Sequence, residues 1–186
     1  NESQVGSEEY DLEQGTIEEF VDRQGLIERG PIMTDPNYKV EKFITGLEWP
    51  TTMTFVGNDL LVLEKNNGTV RHVKNGILEE KPVLDLEVDN SVEGGLLGII
   101  SRGSEVFLFY TEAEVDGGNT LGDKIYRYVW DGKELRSGKI LMNIDRDDQV
   151  SSHHGGVFVK DLNDRIFVVT GDSFREGKNQ NGVSDY

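Results

Sequence analysis

From Val40 onward, apolar and polar residues alternate in short runs broken by turn residues. The runs are 40-VEKFIT-45, 51-TTMTFVG-57, 59-DLLVLEK-65, 69-TVRHVKNG-76, 82-PVLDLEV-88, 96-LLGIIS-101, 105-EVFLFYTE-112, 124-KIYRYVWDG-132, 134-ELRSGKILMNI-144, 155-GGVFVK-160 and 164-DRIFVVTGD-172. Between them stand turn formers such as Asn66-Asn67-Gly68, Asn75-Gly76, Asp131-Gly132 and Asn163-Asp164. Period-two runs bounded in this way predict strands. With no helical period between them, they predict an all-β antiparallel fold: a sandwich, a barrel or a propeller. A weak internal echo favours the propeller, since 59–76, 105–132 and 164–172 each pair an apolar strand with a polar break. Blades of about 40 to 50 residues repeat in this manner. The strand-rich portion then holds about three blades, whereas propellers close with about four to eight. The expectation is an incomplete ring, with an unpaired sheet edge that further polypeptide covers.

The first 38 residues follow another pattern. The stretch 1-NESQVGSEEYDLEQG-15 is acidic and weakly apolar and reads as an arm. In 16-TIEEFVDRQGLIERG-30, Thr16 and Glu19 form a capping box, and Ile17, Phe20 and Val21 share one helical face. Gly30-Pro31 ends the segment. These features predict one short helix, and a division into residues 1–38, arm and helix, and 39–186, the partial propeller.

Composition narrows the partners. The net charge of −16 argues against nucleic acid or an anionic membrane surface. The apolar runs are strand-sized, far too short to insert as membrane helices. The sequence has no cysteine, so disulfides and thiolate metal sites are absent. It opens on Asn1 with no apolar leader, which reads as a processed or partial chain. Asn67-Gly68-Thr69 reads either as a hairpin turn or as a glycosylation acceptor at Asn67.

The candidate chemistry sits in 151-SSHHGGVFVK-160, which holds two of the three histidines. Imidazole titrates near neutral pH and can accept and release a proton. Adjacent residues on an extended chain point to opposite faces, so the pair makes a poor joint metal site and no metal ligand is assigned. The turn at 161-DLNDR-165 folds the following strand back, returning Asp172 towards His153. The glycines after the pair would let a flat cofactor or a sugar approach the backbone. His72 reads as a solvent-facing strand residue. Trp49, Trp130, Tyr126, Tyr128 and Phe109 read as sheet packing rather than a sugar platform. Asp145 to Asp148 read as an exposed loop.

The ordered set 46-GLEWPTTMTF-55, 60-LLVLEKNNGTVRHVKNG-76, 93-EGGLLGI-99, 107-FLFYTE-112, 153-HHGG-156, 169-VTGD-172 and 179-NQ-180 resembles the glucose/sorbosone dehydrogenase family. These are soluble pyrroloquinoline-quinone (PQQ) sugar dehydrogenases, built as six-bladed β-propellers. The resemblance covers residues from about 40 to 186 and amounts to the N-terminal half of such a domain. It implies that His153 is the general base and Asp172 orients it, and that Glu93 and Gln180 line the sugar pocket. It implies PQQ and calcium as cofactors, with most of their ligands outside this chain. The implied reaction is oxidation of an aldose at C1, with hydride passing to the quinone, in an extracellular or periplasmic protein. Two departures stand out: Val157 occupies a position where many members carry arginine, and the loop from Asp172 to Gln180 is long. The alternative is a non-catalytic extracellular propeller serving as a binding or scaffold module.

Overall fold

The computed structural model describes residues 19–21, 27–29, 31, 33–145 and 152–172. The chain divides into two compact units, Asn1–Phe43 and Ile44–Tyr186.

In the first unit, β1 (Glu19–Val21) pairs antiparallel with β2 (Ile27–Arg29), with Glu19 opposite Arg29 and Val21 opposite Ile27. This replaces the helix expected over 16–30. Gly25 costs a helix about 1 kcal/mol, and helices shorter than about 12 residues are marginal on their own. Phe20, Val21 and Ile27 instead favour extended backbone. The acidic arm, 1–15, lies outside the described residues.

The second unit is all β. Its first sheet contains β3 (Pro50–Val56), β4 (Asp59–Glu64), β5 (Thr69–Lys74) and β6 (Ile77–Leu78) in that order, and β7 (Leu84–Asp85) also pairs with β5. The second contains β8 (Leu96–Arg102), β9 (Glu105–Ala113), β10 (Thr120–Trp130) and β11 (Leu135–Ile144), likewise sequential and antiparallel. A third begins with the hairpin of β12 (Gly155–Lys160) and β13 (Ile166–Thr170). The turn after β12 is closed by Asp161 N–H to Arg165 O, 3.0 Å, and Asp164 N–H to Asp161 O, 3.1 Å.

Two expected strands are reduced. Residues 40–45 form none; Ile44, with Leu47, instead packs on Leu60, Val62 and Val73. The stretch 82–88 shrinks to β7 and an isolated bridge from Val88 to Glu112.

The sheets stack face to face. Leu61, Leu63 and Val70 of the first meet Leu96, Val106, Leu108, Tyr110 and Trp130 of the second in the main core, which also takes in Val88. Phe109, Ile125 and Ile144 carry the stack on to Phe158 and Val168 of the third. The first strands of successive sheets are neighbours. Thr51 Oγ1 of β3 donates to Leu96 O of β8 at 3.1 Å. A Cβ on Gly98 of β8 would lie 1.9 Å from the Gly156 carbonyl oxygen of β12, so that crossing requires glycine. Sequential four-stranded meanders, stacked with their first strands together, are propeller blades. The strands β3, β8 and β12 therefore start at a common rim, where the segments just before them converge.

His72 is a correction. It is buried, not solvent-facing, with Nε2 3.0 Å from Asp59 Oδ1 and its ring edge-on to Trp130 at 5.0 Å. Alternation along β5 was legible, but the blade packs on both faces, so the outward face of β5 meets the second sheet. Trp130, Tyr128 and Phe109 are buried as expected, whereas Trp49 is 69% exposed at the rim with φ of 48°. Trp49 precedes the first paired residue of β3, so no neighbouring strand covers it.

A candidate catalytic rim

The rim is built from the ends of strands. His153 immediately precedes His154 and β12, Asp172 follows β13, and Glu93 lies just before β8. The register of the third hairpin, with Gly155 opposite Thr170, brings the first two together. His153 Nδ1 lies 2.8 Å from Asp172 Oδ1, and the imidazole is about half exposed. Glu93 Oε2 accepts the His153 backbone N–H at 2.6 Å. The three residues are 60 and 19 positions apart from His153 to Glu93 and to Asp172, yet share one corner. Gln180 lies outside the described residues, as do residues 146–148 of the acidic loop. Asp145 is exposed.

The backbone here is held tightly. His153 has φ of 60°, a left-handed conformation uncommon for a residue with a Cβ. A Cβ on Gly171 would lie 1.7 Å from the His153 carbonyl oxygen, so only glycine lets the two ends of the hairpin close. The glycines after the histidine pair are required by packing within the protein. A Cβ on Gly156 would sit 2.7 Å from the Phe109 ring, and one on Gly155 would sit 2.6 Å from Val169 O.

Two neighbours of the site, His154 and Lys65, have surroundings that the sequence did not single out. His154 is fully buried, its Nδ1 2.8 Å from Asp123 Oδ1 and 3.0 Å from Thr111 Oγ1. The alternation of adjacent residues implies one inward histidine; nothing local names Asp123 as its partner. Lys65 donates to Asn66 Oδ1 at 3.1 Å and to Val92 O at 3.3 Å. Desolvation holds its amine below the ordinary lysine range, opposed by the charges of Asp89 and Glu93. A cation thus stands beside the rim carboxylates.

Asn67 occupies the β4–β5 turn, where its amide donates to Glu48 Oε2 at 2.9 Å. Thr69 Oγ1 donates to the buried Glu64 at 2.6 Å. Both polar side chains of the tripeptide are engaged within the blade. No group of three or more His, Asp or Glu side chains among the described residues could hold a metal ion. A cavity of about 310 Å³ opens between the second blade and the third hairpin, lined by Phe107, Ile125, Met142, Phe158 and Val168, and none of the site residues lines it.

Fold and site together define a β-propeller with a histidine–carboxylate pair at the strand-start rim. The model of the family described as Glucose / Sorbosone dehydrogenase matches residues 47–185, and the chain belongs to that family. The PQQ-bound aldose sugar dehydrogenase of Streptomyces coelicolor is similar at 24% identity and a TM-score of 0.63, over 78% of this chain and 45% of that one. The soluble aldose sugar dehydrogenase of Escherichia coli, solved in its apo-form, is similar at 18% identity and a TM-score of 0.59, over 72% and 41%. An uncharacterized protein of Synechocystis is 22% identical over 151 residues, which are 74% of this chain and 36% of its own length. The chain thus spans less than half the length of these relatives.

Proposed function

We propose that this chain carries the proton-accepting side of a PQQ-dependent aldose dehydrogenase. The observation that carries the reading is the 2.8 Å contact between His153 and Asp172 on a half-exposed rim. A carboxylate oxygen can only accept, so Asp172 places the ring proton on Nδ1. Nε2 then holds the lone pair that takes the proton from the sugar's C1 hydroxyl. Asp172 also stabilises the imidazolium that forms, as the carboxylate does in hydrolase triads. Glu93 fixes the backbone of the base and offers its carboxylate to a sugar hydroxyl. Gln180 is assigned to the same pocket on the family pattern alone.

The quinone, when bound, supplies the hydride acceptor. The described rim fits the base and does not fit as the holder of that group. The quinone's carboxylates call for cations, and the rim presents Glu48, Glu93 and Asp172 against Lys65. We assign the quinone-holding cations and the calcium ligands to further blades, supplied by additional polypeptide, and expect no turnover without them.

The test is dye-linked turnover by the full-length protein across a panel of aldoses, with and without added PQQ and calcium. Turnover that requires both sugar and quinone is expected. Its absence with every aldose, in a protein shown to bind PQQ, would favour the alternative of a non-catalytic binding or scaffold propeller.

A further inference from the structure

We propose that the buried His154–Asp123–Thr111 cluster is a positioning device for the base His153, acting from beneath the rim; the proposal rests on the reading of His153 given above. Thr111 lies on β9 and Asp123 on β10, directly opposite each other in the second blade. Both side chains are buried, and Thr111 Oγ1 donates to Asp123 Oδ1 at 2.9 Å. That same oxygen lies 2.8 Å from His154 Nδ1. Because a carboxylate accepts, Nδ1 is the protonated nitrogen. The Nε2 of His154 is buried and has no hydrogen-bond partner among the described residues. The ring is therefore anchored to the second blade through Nδ1 alone.

His154 also stands between the two members of the catalytic pair. It is the chain neighbour of His153, whose φ is 60°. Its carbonyl accepts from Gly171 N–H at 2.9 Å, and Gly171 is the chain neighbour of Asp172. His154 thus links both ends of the third hairpin, through its backbone, to β9 and β10 of the second blade, through its ring. Release of that anchor lets His153 and Asp172 move relative to each other, while Glu93, on the segment before β8, stays in place. A displacement near 1 Å at a reacting group can cost about 100-fold in rate.

The experiment compares His154→Phe, His154→Asn and Thr111→Val in the full-length, PQQ-loaded protein. Asparagine restores a donor at the position of Nδ1, while phenylalanine fills the space without one. The account predicts that His154→Phe lowers kcat for an aldose about 10- to 100-fold, with KM nearly unchanged. It also predicts that His154→Asn recovers most of the loss. The second readout needs no turnover: the hydrogen-bonded Nδ1 proton of His153, followed by NMR, should broaden or shift in His154→Phe and return in His154→Asn. If His154→Phe does not fold, Thr111→Val carries the test, with a smaller loss in the same direction and a matching shift of the His153 signal. A folded His154→Phe with native kcat and a native His153 signal would overturn the proposal. So would an asparagine variant as impaired as the phenylalanine one, or a Thr111→Val indistinguishable from wild type. If aldose turnover is absent in the wild type, the NMR arm still decides the positioning claim. If His153→Ala abolishes turnover and His154→Phe does not, the positioning claim falls alone.

Discussion

At the scale of single residues, His153 is constrained from three directions: its ring by Asp172, its backbone N–H by Glu93, and its carbonyl side by Gly171. Asp172→Asn tests the first constraint. It keeps a side chain of the same shape but removes the charge that fixes the tautomer. We expect kcat to fall on the order of 10²- to 10⁴-fold, by analogy with the loss of the triad carboxylate, with an unchanged melting temperature, since the site is open to solvent. Gly171→Ala should fail differently, by loss of folding yield, because a Cβ there meets the His153 carbonyl oxygen at 1.7 Å. The pairing of His153 with Asp172 was legible because a hairpin turn lies between them and the motif order marks both. The pairing of His154 with Asp123 was not. Its partners are 31 positions apart and meet only when the third hairpin packs on the second blade, a contact that leaves no local signal in either strand.

At the scale of elements, a part-buried polar contact joins the first two blades. Asp59 Oδ1 holds His72 at 3.0 Å and Asp59 Oδ2 accepts from Trp130 Nε1 at 3.1 Å. Burial works against the charged carboxylate. Hydrogen bonds from His72 and Trp130 and the charges of His72 and Lys74 outweigh it, so Asp59 titrates below the usual range. A carboxylate depressed on folding stabilises the protein above its unfolded pKa, and that contribution is lost as pH falls through the folded value. Thermal unfolding followed below about pH 4 should therefore show a steeper loss in the wild type than in Asp59→Asn. At neutral pH, Asp59→Asn should be less stable by about 1–3 kcal/mol, the usual cost of disrupting a buried hydrogen-bonded group. Equal slopes would remove Asp59 from the account. Tyrosines of the same interface report at the alkaline end. Desolvation, then the charges of Tyr126 and Glu112, push Tyr128 up to about 12, and burial raises Tyr110 and Tyr126 as well. A tyrosine whose pKa rises on folding stabilises the fold below its unfolded value near 10, and that stability drains away between there and the folded value. Absorbance titration should show these phenols ionising together with unfolding above about pH 10, not before it.

The strands were legible as elements because each runs apolar between turn residues. Their faces were harder to assign, because a blade is packed on both sides and an alternating strand such as β5 buries its polar positions as well. That is why His72 read as exposed. The helix at 16–30 failed for the opposite reason: a capping signature and a three-residue apolar face could not outweigh a central glycine and extended-chain formers on either side of it.

At the scale of the whole molecule, apolar side chains stand exposed on the third hairpin and on β3. Val157, Val159, Phe167 and Val169 alternate on one face of the third hairpin, each more than half exposed. Met53 and Phe55 do the same on β3, at 62% and 63%. On the proposal that further blades complete the ring, these side chains would be covered there, and exposed apolar surface of this kind drives association. Residues 1–186 expressed alone should self-associate in a concentration-dependent manner on size-exclusion chromatography, and Val159→Lys with Val169→Lys should reduce it. A monodisperse monomer would contradict the need for further blades. The repeat length made the successive sheets legible; which apolar side chains stay exposed depends on contacts between residues far apart in sequence.

The central claim is that His153 takes the sugar proton as the quinone is reduced. Rapid mixing of the PQQ-loaded full-length protein with an aldose, reading quinone absorbance through a single turnover, tests it most directly. The account predicts reduction in the wild type and a rate lower by about 10²- to 10⁴-fold in His153→Ala, with PQQ binding intact. Equal rates in the two proteins would contradict it.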